Sequence, residues 1–490
     1  MINTVYELIT DVMAKQYPDR VAFRYVAADG KTVVEKTYAQ YVQDIRRAVT
    51  YFKENIPDIK GKRVGIMSRN CYEYGVNSFG AILAGAVVVT INQKKTWPEL
   101  EYELGLVEPS LIVNDGIDYG CRPDIEAAYG DKLRPMDAFR DSAPAELVDC
   151  VGHDDLIVLM FTSGTTGRSK GVMLSEKNYF TACQMYIDGQ KSVLDYEERL
   201  VPQYLDQTFS HFTLVPMFHL AGFICYFVYG IQGWTLNLCC DARDLRRDMS
   251  LMHSDAMSTP PVLVEMICNE VKRGHADRLN GLWNLSCSSA ILDPAILSGL
   301  VKNGFYINQC YSMTELAGYG LLNVTQEGDH LRALGKPDGF CEVKVDETGE
   351  ICVRGGCVML GYYKDPEATA ETIDKDGWLH TGDLACVDEE GYYYMTGRKK
   401  NLIILDSGEN VSPEELEKLL GKCDAIKECI VKEMGKKIGT VVCCEDDRQQ
   451  QVKAFVTELN RTLPMYKRIS VVECSAEPLP RNALGKLLRR

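Results

Sequence analysis

No Cys-x-x-Cys pair occurs anywhere in this chain, although it carries 19 cysteines in 490 residues. Its adjacent pairs, Cys239-Cys240 and Cys443-Cys444, lack zinc-ligand spacing. Reduced, mostly buried thiols are therefore the expectation. The first residues, Met-Ile-Asn-Thr-Val-Tyr-Glu-Leu, lack the basic and apolar stretches of a secretory signal. The longest apolar runs, Phe79 to Ile91 and Leu220 to Trp234, are broken by glycine and fall short of the roughly 18 to 20 residues that span a bilayer. Both read as core, and the expected location is the cytoplasm with no integral membrane contact. Positive charge is in deficit, with a formal net charge of −15, which argues against a nucleic-acid-binding face. Internal repeats and low-complexity segments are absent as well. With 46% apolar and 25% charged residues, what remains is an ordinary globular composition in a chain long enough for at least two domains.

The most informative stretch is Phe161 to Ser175, Phe-Thr-Ser-Gly-Thr-Thr-Gly-Arg-Ser-Lys-Gly-Val-Met-Leu-Ser. Ahead of it, Leu156 to Phe161 is a short apolar run of the kind that forms a strand buried on both faces. Hydroxyl residues, glycines and Lys170 follow, giving small side chains, free backbone amides and one cation where a polyphosphate could lie. The bland alternative is a polar surface turn. A Walker loop is excluded by residue order: the position that should hold the second glycine after Gly164 is Ser169, and Lys170 precedes Gly171.

Along the chain, Val5, Leu8, Ile9, Val12 and Met13 recur at helical spacing, followed by a strand at Val21 to Tyr25 and a helix from about Tyr38 to Phe52. Strands at Val64 and Val87 flank a helix from Tyr72 to Gly85, and the alternation continues through Leu111-Ile-Val. Such alternation predicts an α/β fold with parallel-rich sheets and crossover helices. A helix is predicted from Glu176 to Tyr186. Phe212 to Gly222, Asn284 to Ala290 and Phe305 to Glu315 are strand-to-loop junctions that place small polar residues at strand C-termini, where open sheets bind ligands. From about Gly339 short alternating segments predict a small barrel-like subdomain. The boundaries expected are an N-terminal domain of 1–396, containing that subdomain at 339–396, a hinge at 397–401 and a small, mobile α+β domain of 402–490. The helix opening the last begins at Ser412-Pro-Glu-Glu, a capping box with proline at the first position.

In their order, these motifs resemble those of the adenylate-forming superfamily, which includes acyl-CoA synthetases, adenylation domains and beetle luciferases. The resemblance implies that Thr162, Ser163, Gly164, Thr165, Thr166, Gly167 and Lys170 grip the β- and γ-phosphates of ATP. Pro216-Met-Phe-His-Leu-Ala-Gly222 is similar to the acid-pocket segment, with His219 moving with the incoming acyl group. Ser288-Ser-Ala-Ile-Leu and Tyr311-Ser-Met-Thr-Glu stand where the family has Gly-Gly-Ala-Pro-Leu and Tyr-Gly-Met-Thr-Glu. They imply an adenine slot between the Ala290 backbone and the Tyr311 ring, nucleotide contacts from Ser288, Ser289 and Gln309, an α-phosphate contact from Thr314, and Mg2+ held by Glu315. Ser288, Ser289, Cys310 and Ser312 replace family glycines and add volume beside the nucleotide or acyl slot. The Gly349-Glu-Ile-Cys-Val-Arg-Gly-Gly and Gly361-Tyr-Tyr segments match structural motifs to which no catalytic role attaches. Asp383, in Trp378-Leu-His-Thr-Gly-Asp, would accept from the ribose hydroxyls, with Arg398 beside it. Lys400 occupies the family's hinge position, Gly408 its thiol-tunnel loop, and Lys486 the place of the catalytic lysine that bridges carboxylate and α-phosphate.

The activity implied is conversion of a small or medium carboxylic acid to acyl-AMP, with pyrophosphate released. The acyl group then passes to the thiol of CoA or, alternatively, to the phosphopantetheine of an acyl or peptidyl carrier protein. An amino-acid substrate is disfavoured because no Asp lies between His219 and Asp241. A luciferase-like oxygenase and a non-catalytic nucleotide binder are the readings from other classes. Phe218, Phe223, Tyr226 and Phe227, with Ser312, supply either the wall of an apolar or aromatic acid pocket or core packing.

Overall fold

The computed structural model describes residues 2–162, 168–200, 209–288, 292–405, 410–435, 437–481 and 487, with only the backbone at 190, 193–200, 404 and 410. The chain divides into two compact units, 1–342 with 353–379, and 343–352 with 380–490. Compactness thus groups 380–396 with the C-terminal residues, whereas the sequence pattern drew its hinge at 397–401. A hinge is a statement about motion, which compactness alone does not address.

The first unit is built on two large sheets. One runs in the order Gly361–Tyr362, Lys170–Ser175, Leu156–Thr162, Val87–Thr90, Arg63–Met67, Leu111–Asn114, Leu133–Pro135. Its strands from Leu156–Thr162 to Leu133–Pro135 are parallel, and the two at the other edge are antiparallel. Val87–Thr90 and Leu111–Asn114 are buried along their whole length, as continuous apolar runs in a sheet covered on both faces must be. Val89, Ile91, Leu100, Leu104, Ile112 and Leu159 form the core on one side. The other sheet runs Gly320–Asn323, Tyr306–Ser312, Asn284–Ser288, Ala256–Thr259, Ser210–Thr213, Thr235–Leu238, Val21–Val26, Val33–Thr37, parallel except at its two edge pairs. Phe212, Met257, Leu285, Leu297 and Ile307 are among its core residues.

Two local expectations change. Lys170–Ser175, expected inside the glycine-rich loop, is a strand, because Val172, Leu174 and Ser175 bury against Leu156–Thr162 through an antiparallel match of six residue pairs. The following helix extends from Glu176 to Leu200 rather than stopping near Tyr186. The helix Tyr38–Asn55 begins at a capping box in which Thr37 and Gln40 satisfy each other's backbone N–H. Among the described residues no helix is long and apolar enough to cross a membrane.

The second unit contains most of a four-stranded sheet ordered Glu342–Val345, Glu350–Arg354, Leu379–Val387, Tyr393–Arg398, and a three-stranded sheet of Glu428–Met434, Lys437–Cys443 and Val471–Ser475. The helix Pro413–Leu420 starts where the capping pattern placed it, with Ser412 Oγ accepting from Glu415 N at 3.4 Å. Its buried Leu416 and Leu420 meet Val431, Ile438 and Val456.

Candidate active site

Thr162 and Lys170 are the last paired residues of two antiparallel strands. The chain between them must leave and return at one point, so both side chains stand at the base of the glycine-rich loop. Ser163, Gly164, Thr165, Thr166 and Gly167 lie outside the described residues. The Lys170 ammonium lies 4.7 Å from the centroid of the Tyr362 ring, a cation–π distance. Tyr362 in turn donates its hydroxyl to Glu315 Oε1 at 2.9 Å, and Met359 N donates to the Glu315 carbonyl at 2.9 Å. The strand Gly361–Tyr362 pairs with Lys170–Ser175, Tyr362 opposite Val172. A segment to which the sequence attached no catalytic role therefore joins the loop's lysine to the carboxylate expected to hold magnesium. Burial, with the charge of Glu315 acting the same way, pushes the Tyr362 hydroxyl well above its ordinary pKa, so it remains a donor at any physiological pH.

A second cation was also missed. Lys95 pairs with the buried Glu103 and stands 3.5 Å from Ser169 Oγ, beside the Phe161 ring. It follows Val87–Thr90 at the C-terminal end of a parallel strand, the position where α/β sheets gather ligand-binding groups. Glu315 itself is half-buried. A hard carboxylate oxygen held in orientation by Tyr362 fits a Mg2+ ion that takes its remaining ligands from phosphate oxygens and water.

Tyr306–Ser312 delivers Tyr311 half-buried, opposite Leu321. A Cβ on Gly320 would collide with the Tyr311 carbonyl, so the neighbouring strand requires glycine there. Thr314 begins a short 3-10 turn ending at Ala317, which has φ 53°. Gln309, expected at the nucleotide, is buried, its Oε1 accepts from Leu292 N at 3.0 Å and its Nε2 donates to the Leu331 carbonyl at 2.8 Å. Its amide is spent on the backbone, fixing Leu292 just after Ser289, Ala290 and Ile291, which lie outside the described residues.

His219 caps the helix Leu220–Gln232, with Nδ1 accepting from Ala221 N at 3.4 Å. Its ring is open to solvent yet surrounded by protein, as in the wall of a cleft, and this desolvation holds its pKa below the usual value. The positive end of the helix acts in the same direction. Gly222 is required here because a Cβ would strike the Pro216 carbonyl. Helical periodicity then decides which residues meet the adjoining cavity. Ala221, Ile224, Cys225, Val228 and Tyr229 share the face that lines a cavity of about 80 Å3 together with Ser288, Cys310 and Ser312. Phe223, read from the sequence as either pocket wall or core, is fully buried on the opposite face, with ring centroids 5.8 Å from both Tyr179 and Tyr226. Phe218 is half-buried and outside that lining; its carbonyl accepts from Thr90 Oγ1 at 3.1 Å.

In the second unit, Asp383 is buried, with Arg398 Nε 2.7 Å from Oδ1. Gly382 has φ +73°, a conformation that favours glycine, and its N–H donates to the buried Glu350 at 2.7 Å. Lys399 Nζ, 2.8 Å from Glu350 Oε2, balances that carboxylate. Glu350, from the segment read as structural, thus anchors the turn that presents Asp383. Desolvation, reinforced by the Arg398 guanidinium, lowers the pKa of Lys400. Gly408 and Lys486 lie outside the described residues.

With this geometry in place, the profile of one protein family, described as AMP-binding enzyme, matches residues 11–363. Among curated proteins the chain is similar to 4-coumarate–CoA ligase 3 of Oryza sativa subsp. japonica, 27% identical over 510 residues that cover 96% of this chain and 89% of the relative. It is similar also to feruloyl-CoA synthase of Amycolatopsis sp, 30% identical over 454 residues covering 88% of each. Among solved structures, O-succinylbenzoate coenzyme A synthetase of Bacillus subtilis in complex with AMP has the same fold, with a TM-score of 0.80 at 23% identity over 99% of this chain and 97% of that one.

Proposed function

The chain belongs to the AMP-binding enzyme family, and from that premise we propose that it activates a small or medium carboxylic acid as acyl-AMP and passes the acyl group to the thiol of CoA. It is an AMP-forming acyl-CoA ligase by class: the family profile and the curated CoA ligases extend over most of its length. The observation that carries the finer reading is the Lys170–Tyr362–Glu315 array at the base of the glycine-rich loop. Lys170 and the loop amides hold the β- and γ-phosphates, Thr314 contacts the α-phosphate, and Tyr362 keeps Glu315 turned toward the metal. Bound there, Mg2+ would neutralise phosphate charge as pyrophosphate departs. Tyr311 supplies a stacking face for adenine, while Asp383 and Arg398 serve the ribose. His219, neutral and at the cleft wall, moves with the acyl group, and Lys486 bridges carboxylate and α-phosphate. Catalysis of this kind is positioning and charge neutralisation. A cytoplasmic location belongs to the same reading.

The test is a panel of organic acids with ATP and Mg2+, scored for acid-dependent pyrophosphate release and repeated with CoA and with carrier-protein phosphopantetheine. The reading expects pyrophosphate from a subset of acids and thioester on CoA. Thioester on the carrier alone would replace CoA as acceptor, and no acid-dependent pyrophosphate release from any acid would overturn it.

A further inference from the structure

The walls of the 80 Å3 cavity are chemically unlike one another. Ala221, Ile224, Cys225 and Val228 make the helix side apolar. On the sheet side the polar Ser258, Ser286 and Asn308 stand in register across three parallel strands, among the apolar Ala256, Met257, Cys310 and Leu322. Ser288 lies one strand repeat, about 7 Å, toward the C-terminal ends of those strands. Among the described residues the Ser286, Ser288 and Asn308 side chains make no hydrogen bond to protein, so their hydrogen-bonding capacity faces the cavity. All three are half-buried, so their polar atoms are open to a ligand or to water in the cavity.

Hydrogen-bond bookkeeping identifies a further donor. His211 is fully enclosed, and burial pulls its pKa down to about 3, so it is neutral. Ser258 N–H donates to its Nε2 at 3.2 Å, which places the ring hydrogen on Nδ1. Nδ1 lies 2.9 Å from Tyr229 Oη, so His211 donates and Tyr229 accepts. The Tyr229 hydroxyl also shares a hydrogen bond with the Ser258 hydroxyl, so one hydrogen of the Tyr229–Ser258 pair is left to be given at the cavity wall. Tyr229 is held there between His211, at 4.5 Å between ring centroids, and Trp234, at 5.7 Å. Among the described residues no Asp, Glu, Lys or Arg lines the cavity, so they offer no counter-charge to a second carboxylate or an ammonium on the acid.

Resting on the ligase reading above, we propose that the acid's tail carries an uncharged oxygen, a hydroxyl or carbonyl, that accepts the remaining hydrogen of the Tyr229–Ser258 pair and is met by Ser286 and Asn308. The oxygen sits about one strand repeat, ~7 Å, below the level of Ser288. The tail is compact, as the cavity measures about 80 Å3. Tyr229 and Asn308 are specificity-determining residues, a role that the aromatic stripe Phe218 to Phe227 does not reveal.

The experiment compares two matched pairs, 4-hydroxyphenylacetate with phenylacetate and 6-hydroxyhexanoate with hexanoate. Thioester formation is measured with ATP, Mg2+ and CoA, and binding of each acid by calorimetry. The expected result is at least a tenfold preference, in kcat/KM and in Kd, for the oxygenated member of at least one pair. Tyr229→Phe should bring that ratio close to one, and Asn308→Ala should reduce it, with each variant's thermal transition checked so that misfolding is not read as lost preference. A binding preference that is present while no acid drives pyrophosphate release supports the pocket assignment and overturns the ligase reading. Equal treatment of both members of both pairs, failure to bind any of the four, or a preference that survives in Tyr229→Phe and Asn308→Ala, overturns the pocket assignment.

Discussion

Tyr362→Phe isolates one hydrogen bond at the centre of the site. The substitution deletes the hydroxyl that donates to Glu315 Oε1 at 2.9 Å and leaves the ring on which the Lys170 ammonium rests at 4.7 Å. Glu315 remains half-buried, so removing the donor strands no fully desolvated charge, and the fold should lose little. A hydrogen bond to a charged group contributes about 1.5–3 kcal/mol. If that orientation of Glu315 is needed where metal and phosphates must be held together, the loss appears as a fall of roughly 10- to 100-fold. The assay is acid-dependent pyrophosphate release at saturating acid, with ATP and Mg2+ varied separately. Tyr362→Phe should lower kcat/KM for ATP by that factor and raise the Mg2+ concentration for half-maximal rate, while its thermal transition stays near that of the parent. Because the tyrosine stays protonated throughout the physiological range, the shape of the pH–rate profile should not change. Parental kcat/KM for ATP in a folded Tyr362→Phe protein would refute the role given to the Lys170–Tyr362–Glu315 array.

Lys486→Ala should lower acid-dependent pyrophosphate release by roughly 10² or more, the scale of losing one preorganised donor, while thioester formation from supplied acyl-AMP survives; unchanged release would remove Lys486 from the first half-reaction. Glu176 offers a pH test of the fold. It is buried, accepts from Val5 N at 2.9 Å, and burial raises its pKa from 4.5 to about 7. Its contribution to stability is therefore fully present below about pH 4.5 and lost as pH rises through about 7. That loss is about 1.4 kcal/mol per unit and up to about 3 kcal/mol in all. Glu176→Gln should accordingly be more stable than the parent at pH 8 by that amount and indistinguishable near pH 4.5, measured by denaturant unfolding; an advantage independent of pH would refute the assignment.

Much of the architecture was legible from patterns that act over a few residues. The buried strands at Val64, Val87, Leu111 and Leu156 announce themselves as apolar runs, and the helix at Ser412 by its cap. The junctions at Asn284 and Phe305 combine a strand with small polar residues at its end. Lys170–Ser175 was misread because its glycine and lysine look like loop until Val172 and Leu174 have a partner strand to bury against.

The sequence by itself determined the family, the order of the motifs and the identity of Thr314, Glu315, Asp383 and Lys486 as candidates, because residue type and short spacing carry that information. Only the tertiary structure decided that Tyr362 stands between Lys170 and Glu315, that Gln309 spends its amide on the backbone, and that Phe223 turns away from the cavity while Tyr229 turns toward it. Those outcomes depend on which distant strand pairs with which and on which face of a helix packs inward. Such pairings are settled by burial across long sequence separations, and no local pattern records them.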